Sequence, residues 1–187
     1  MKNLILFALI INISSILNSQ EVLHEREVKL KSFFLSTDKN ESFPVVNAEN
    51  GEIGLFLLDK KEIKSLLFDK NYVLKDSFIT DKPKGKFDVL LGNTFENNNY
   101  TLFFTNDKKT KFLAKSINII NKKSSFKELE IKLKGEEFIE SIKYNNNLYI
   151  ITIKRVSSIL NVYEFKGAEI SRIGKIDLSK HKFSKQL

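Results

Sequence analysis

Short runs of Ile, Leu, Val, Phe and Tyr alternate along the chain with clusters of Asn, Asp, Lys, Ser and Gly. No apolar spacing of helical period lasts long enough to compete, so the pattern predicts an all-β protein. Twelve strands are expected, in three sets of four. The first set covers 43–47, 52–59, 62–69 and 72–80, and the second covers 86–93, 100–106, 110–120 and 126–133. The third covers 137–144, 148–154, 158–165 and 168–178.

The three sets share a turn between their first and second strands. It reads NAENGE at 47–52, NTFENNNY at 93–100 and YNNNLY at 144–149. Each turn leads into a strand with a continuously apolar centre, GLFLL, TLFFT and YIIT respectively. Ile53 precedes Thr101 by the same interval as Thr101 precedes Tyr149. The chain is therefore expected to repeat one four-stranded unit. A strand with neighbouring sheets on both faces need not alternate apolar and polar residues, which is the expectation for the second strand of each unit.

A four-stranded antiparallel unit of ~40 to 50 residues is the size of one propeller blade. On these repeats the stretch 43–178 resembles a β-propeller, with blades at 43–80, 86–133 and 137–178. The resemblance is to an architecture and not to a named family. Without Trp there is no WD dipeptide, and the paired glycines of kelch repeats are absent from a chain with only seven glycines. Roughly four to eight blades close a ring, so three leave two apolar sheet faces uncovered. A homodimer forming a six-bladed ring would resolve this, as would membership of a longer propeller of which the chain is a fragment. The alternative fold is a twelve-strand β-sandwich or open barrel.

The N-terminus breaks the strand pattern. MKNLILFALIINISSILNSQ has a lysine, an apolar run and a small-residue exit, the three parts of a secretory signal peptide over 1–19. The run is short of the ~20 apolar residues of a membrane span, so no transmembrane anchor is expected after cleavage, and an uncleaved N-terminal anchor is the competing reading. Residues 20–42 form an extension with one candidate strand, EREVKLKSFFLS at 25–36, leaving 43–187 as the main domain. The chain has no cysteine, which removes a lipid-modified thiol and any disulfide. A secreted or periplasmic bacterial-type protein held together by its core alone fits that composition.

The formal charge is +8, and the leader carries only one of the cations, Lys2. In a propeller, loops joining second to third strands share an end with loops joining successive blades. That end gathers Lys60, Lys61, Lys82, Lys84, Lys86, Lys108, Lys109, Lys154 and Arg155. Clustered cations raise local potential and attract anionic partners, here an acidic glycan, lipopolysaccharide phosphate or an acidic protein surface. Plain solvation of turn lysines explains the same residues. Nucleic acid is disfavoured, because single-strand binders interleave stacking aromatics with basic groups and these loops contain almost none.

Catalytic chemistry finds little to work with. His24 and His181 are the only histidines, which leaves no Ser or Cys triad and no histidine-rich metal site. No cofactor motif or calcium-loop spacing occurs. Asp59, Asp81, Asp107, Glu136 and Glu137 fall at the lysine-rich end, and paired carboxylates can hydrolyse glycosides, although turn propensity explains them as well. The expected function is a secreted non-catalytic binding or scaffold module. The alternatives are a secreted glycan-acting hydrolase and an inactive truncated propeller fragment.

Overall fold

The computed structural model describes residues 41–131, 133 and 135–179. The leader at 1–19, the candidate strand at 25–36, His24 and His181 lie outside them. The described residues form twelve strands: β1 (Glu41–Val46), β2 (Ile53–Leu58), β3 (Glu62–Phe68), β4 (Leu74–Asp81), β5 (Val89–Glu96), β6 (Asn99–Thr105), β7 (Phe112–Asn118), β8 (Lys123–Leu129), β9 (Glu137–Tyr144), β10 (Asn147–Lys154), β11 (Ile159–Lys166) and β12 (Glu169–Asp177). They build three four-stranded antiparallel sheets, each a meander in chain order, and the sheets do not close into a barrel. The blade-like repeat is therefore present, with no α-helix among the described residues.

Turn chemistry explains two of the three first hairpins. Asn97–Asn98 and Asn145–Asn146 all have positive φ, between 45° and 62°. Two left-handed residues in succession make the hairpin turn whose twist matches that of the strands, and asparagine tolerates it best after glycine. The two turns are separated by the interval that separates Thr101 from Tyr149. The first unit differs, with a longer loop closed by Asn47 N–H to Glu52 O at 2.8 Å and Gly51 N–H to Asn47 O at 2.9 Å. Pro44, which lacks an N–H, sits in edge strand β1.

The longer first loop changes which face each residue occupies. Phe56 of β2 packs against Tyr100 of the second sheet at a centroid distance of 5.0 Å, while Phe103 of β6 packs against Phe165 of the third at 4.9 Å. Phe56 and Phe103 thus hold equivalent positions, each facing the next sheet. The interval between them falls one position short of that from Ile53 to Thr101. The longer interval therefore pairs opposite faces, since a one-residue shift reverses every side chain of a strand. From the second sheet to the third the longer interval holds: Tyr100 and Leu148 both face the preceding sheet.

Two cores follow. One joins the first and second sheets through Val45, Phe56, Leu58, Tyr100, Leu102 and Phe104. The other joins the second and third through Phe103, Phe112, Leu148, Ile150 and Phe165. Of the three second strands, β6 is the one buried along almost its whole length, since among the described residues the second sheet has a sheet on each side, whereas β2 and β10 alternate. Continuous apolar character in β2 and β10 therefore leaves Ile53, Leu55, Leu57, Ile151 and Ile153 on outward faces, half-buried.

The sheets approach one another most closely at β5, which lies against β1 on one side and β9 and β10 on the other. Towards the fourth strands they are linked by side chains. Thr80 of β4 and Ser124 of β8 share a hydroxyl hydrogen bond at 2.7 Å, and Lys122 ion-pairs with Asp76 while donating to Ser77 O at 2.7 Å. Sheets drawn together at one edge and splayed at the other leave a wedge between β4 and β8.

Candidate functional site

The loops after β2 and β4 are fixed to each other. Asp59, buried at the end of β2, turns its carboxylate back on the loop, where Oδ1 accepts from Lys61 N–H at 2.8 Å and Glu62 N–H at 2.7 Å. Lys82 N–H donates to Lys61 O at 2.8 Å. This brings Lys60, Lys61, Lys82 and Lys84 around one basin of about 760 Å³. Glu41, Glu62, Asp81 and Asp88 line the same basin, so the four cations are interleaved with four carboxylates.

The other predicted cations are dispersed along that end. Lys86 lies 3.6 Å from Glu128 and 5.0 Å from the Phe87 ring centroid. Lys109, at φ 52°, sets its ammonium 4.2 Å above the ring of Phe138 in the third sheet. Arg155 donates from Nε to Glu137 at 2.6 Å. Lys108 and Lys154 are exposed in the turn after β6 and at the end of β10. Thus Lys60, Lys61, Lys82 and Lys84 are brought together, and Lys86, Lys108, Lys109, Lys154 and Arg155 are not.

Two of the five carboxylates considered for hydrolysis have fixed structural partners besides Glu137. Asp59 holds its turn. Glu136 accepts from Thr152 Oγ1 at 2.6 Å and from Tyr163 OH at 3.0 Å. Burial, reinforced by that carboxylate, pushes the Tyr163 phenol up to about 12. Asp107 is exposed, and Asp81 lines the basin.

Beside the basin, the wedge between β4 and β8 forms a cleft of about 660 Å³ that shares Asp81, Lys82 and Lys84 with it. Its inner wall holds a residue the loop pattern does not suggest, Lys115 of β7, only 4 % exposed. Residue alternation puts Lys115 on the face towards the first sheet, between Leu113 and Ile117. The nearest hydrogen-bond acceptor is Ser124 Oγ at 3.5 Å, a long contact. Burial lowers the pKa of this amine, and nearby Asp81 partly offsets the shift. Directly across the ladder from Lys115 lies Phe126, 70 % exposed on edge strand β8. A lysine at the other inter-sheet boundary has a closer partner: the Lys143 ammonium donates to Asn93 Oδ1 at 2.6 Å, although burial lowers the pKa of that amine as well.

Lys115 could have been found by combining two observations already in the sequence. FLAKSIN is an inner strand of the middle unit of three, flanked within its sheet by β6 and β8 and with a sheet on each side, so neither of its faces looks onto water, unlike edge strand β8. A lysine there must be buried whichever way it points.

Among the described residues no cluster of His, Cys, Asp and Glu is arranged to hold a metal, and no helix is long and apolar enough to cross a membrane. No protein-family model, curated protein or solved structure matches the chain.

Proposed function

We propose that the chain is a secreted or periplasmic, non-catalytic binding module of propeller-like build whose loop end takes an acidic polysaccharide. The observation that carries this reading is the convergence of Lys60, Lys61, Lys82 and Lys84 on one basin, from two loops tied by a backbone hydrogen bond. Ordered loops lose little freedom on binding, which favours recognition of a repeating ligand. The engagement of Asp59 and Glu136 by their own neighbours supports binding over hydrolysis.

The test is affinity for acidic against neutral polysaccharide across a salt series. The reading expects binding to the acidic polymer alone, weakening as salt screens the charges. Replacing Lys60, Lys61 and Lys82 with serine should reduce affinity at least ten-fold and flatten the salt dependence. Equal binding of neutral polymer, or an unaffected triple variant, would overturn it.

A second copy of the chain is the proposed partner of the third sheet's outer face. Tyr149, Ile151 and Ile153 stand one repeat interval after Thr101, Phe103 and Thr105, the β6 residues that face the next sheet. The repeat therefore continues an established sheet-to-sheet interface outward from β10.

A further inference from the structure

The cleft between β4 and β8 combines three features that no single structural role explains. A lysine lines its inner wall almost fully buried, with one long hydrogen bond to Ser124. An aromatic ring stands exposed on the adjoining edge strand. Two hydroxyls, Thr80 and Ser124, bridge the walls. A strand-borne lysine can usually extend its stem and keep its ammonium in water, whereas Lys115 is 4 % exposed and lacks the short hydrogen bond that Lys143 makes to Asn93. Burying a cation with poor compensation costs free energy, and an exposed phenylalanine gains nothing from water.

We propose that this cleft binds a uronate residue of an acidic polysaccharide, with its carboxylate on Lys115 Nζ, its sugar ring on Phe126 and its hydroxyls on Thr80 and Ser124. The inference rests on the acidic-polysaccharide reading above and names the group that is read. Lys115 pairs directly with Phe126, and its Nζ lies 3.5 Å from Ser124 Oγ, two residues from Phe126 on β8, so a ligand carrying its charge and ring face in one compact unit suits the pair. A uronate meets that demand because its carboxylate is attached to the ring carbon. The cleft volume of about 660 Å³ holds one or two sugar units. Asp81 and Glu128 on the same cleft disfavour a doubly charged phosphate. A sulfate ester presents three terminal oxygens to one ammonium, against two for a carboxylate.

The probes are a galacturonate hexamer, its methyl ester and dextran sulfate, titrated calorimetrically against the full chain, Lys115→Met and Phe126→Ser. The expected result is binding of the hexamer, at least ten-fold weaker binding of the ester, and at least ten-fold loss in either variant. Phe126 is exposed on an edge strand, so its substitution tests the cleft even where Lys115→Met alters folding. If dextran sulfate binds while the galacturonate hexamer does not, the uronate site is wrong and the polyanion-binding module stands. Galacturonate binding that ignores both substitutions likewise overturns the site alone. Failure of both polyanions to bind overturns the module and the site together.

Discussion

Gly54 of β2 lies flat against the ring of Tyr100 in the next sheet, so closely that a Cβ added to the glycine would stand 2.7 Å from Tyr100 Cε1. The relation recurs one unit later, where a Cβ on Gly92 would stand 2.8 Å from Leu148 Cδ1. Tyr100 and Leu148 hold the same position in successive units, each the second residue of its strand. The second and third sheets thus each seat one large side chain on a glycine of the sheet before it. The Tyr100 ring is further fixed by Phe56 and Phe95, at 5.0 and 4.6 Å.

Gly54→Ala should therefore destabilise the chain by about 1–3 kcal/mol, the usual cost of forcing a methyl group into a filled core. Gly92→Ala should cost less, because the Leu148 methyl is the end of a flexible side chain and can move. Combining Gly54→Ala with Tyr100→Leu should be less damaging than the sum of the two, the sign of coupling expected for residues in contact. Urea denaturation of the three single variants, Gly54→Ala, Gly92→Ala and Tyr100→Leu, and of the Gly54→Ala/Tyr100→Leu double decides it.

High pH should destabilise the chain through its two buried phenols, Tyr100 and Tyr163. Burial pushes Tyr100 up to about 12, and burial with the Glu136 hydrogen bond does the same for Tyr163. In the unfolded chain both titrate near 10. Between those values the folded state retains protons that the unfolded state has lost, so stability is full below pH ~10 and falls as pH rises towards ~12. The loss is on the order of 2 kcal/mol for each phenol. Tyr163→Phe should remove about half of it. Absorbance at 295 nm, followed against pH alongside circular dichroism, should show the Tyr100 and Tyr163 phenols ionising together with the loss of strand structure.

Lys115→Met should stabilise the free protein at neutral pH, by about 1–2 kcal/mol. The substitution replaces a cation that is 4 % exposed and has one long hydrogen bond with an apolar chain of similar length. A midpoint shift to lower urea would show that the ammonium is better satisfied than its contacts imply. Expected gain in stability and expected loss of uronate binding run in opposite directions, as they do where a residue is kept for a ligand.

What could be read in advance divides along the same physical line. Strand existence and grouping depend on local pattern, and all twelve strands lie close to their expected positions, with β9 matching 137–144 residue for residue. The largest displacement is β8, expected at 126–133 and found at Lys123–Leu129. There the apolar signal of Ile131 and Leu133 belongs to the connection packing on the third sheet, and the strand itself is almost wholly exposed. Face assignment was less legible: the extra length of the loop at 47–52 shortens the first repeat interval by one position, which apolar runs alone do not reveal. The lysines of the two tied loops were visible as candidates, but the carboxylates interleaved with them and the cleft beside them arise from packing between sheets.

Asn146 should tie the second and third sheets together independently of their cores. Its side-chain oxygen accepts from Phe95 N–H at 3.0 Å, and its amide nitrogen donates to Phe95 O. The same residue occupies the second left-handed position of its turn, at φ 61°. Asn146→Ala removes the bridge and strains the turn, whereas Asn146→Gly removes only the bridge. Losses of about 2–3 and about 1 kcal/mol are expected respectively, read from thermal or urea unfolding. Equal losses would assign the whole effect to the hydrogen bonds.

Absolute mass in solution tests the proposed second copy. Tyr149, Ile151 and Ile153 line the outer face of β10 with Leu160 and Val162 beside them on β11, all half-buried, and Ile142 and Ile176 are 45 % and 49 % exposed at its margins. An apolar face of that extent marks an interaction surface more often than bare solvent contact. A central charge on a packed sheet face is costly to bury unpaired, while on a solvated face it costs little. Ile151→Asp should therefore halve the mass measured by light scattering and leave the unfolding midpoint of the separated chain nearly unchanged. A parent chain that is monomeric at high micromolar concentration would remove the second copy from that face.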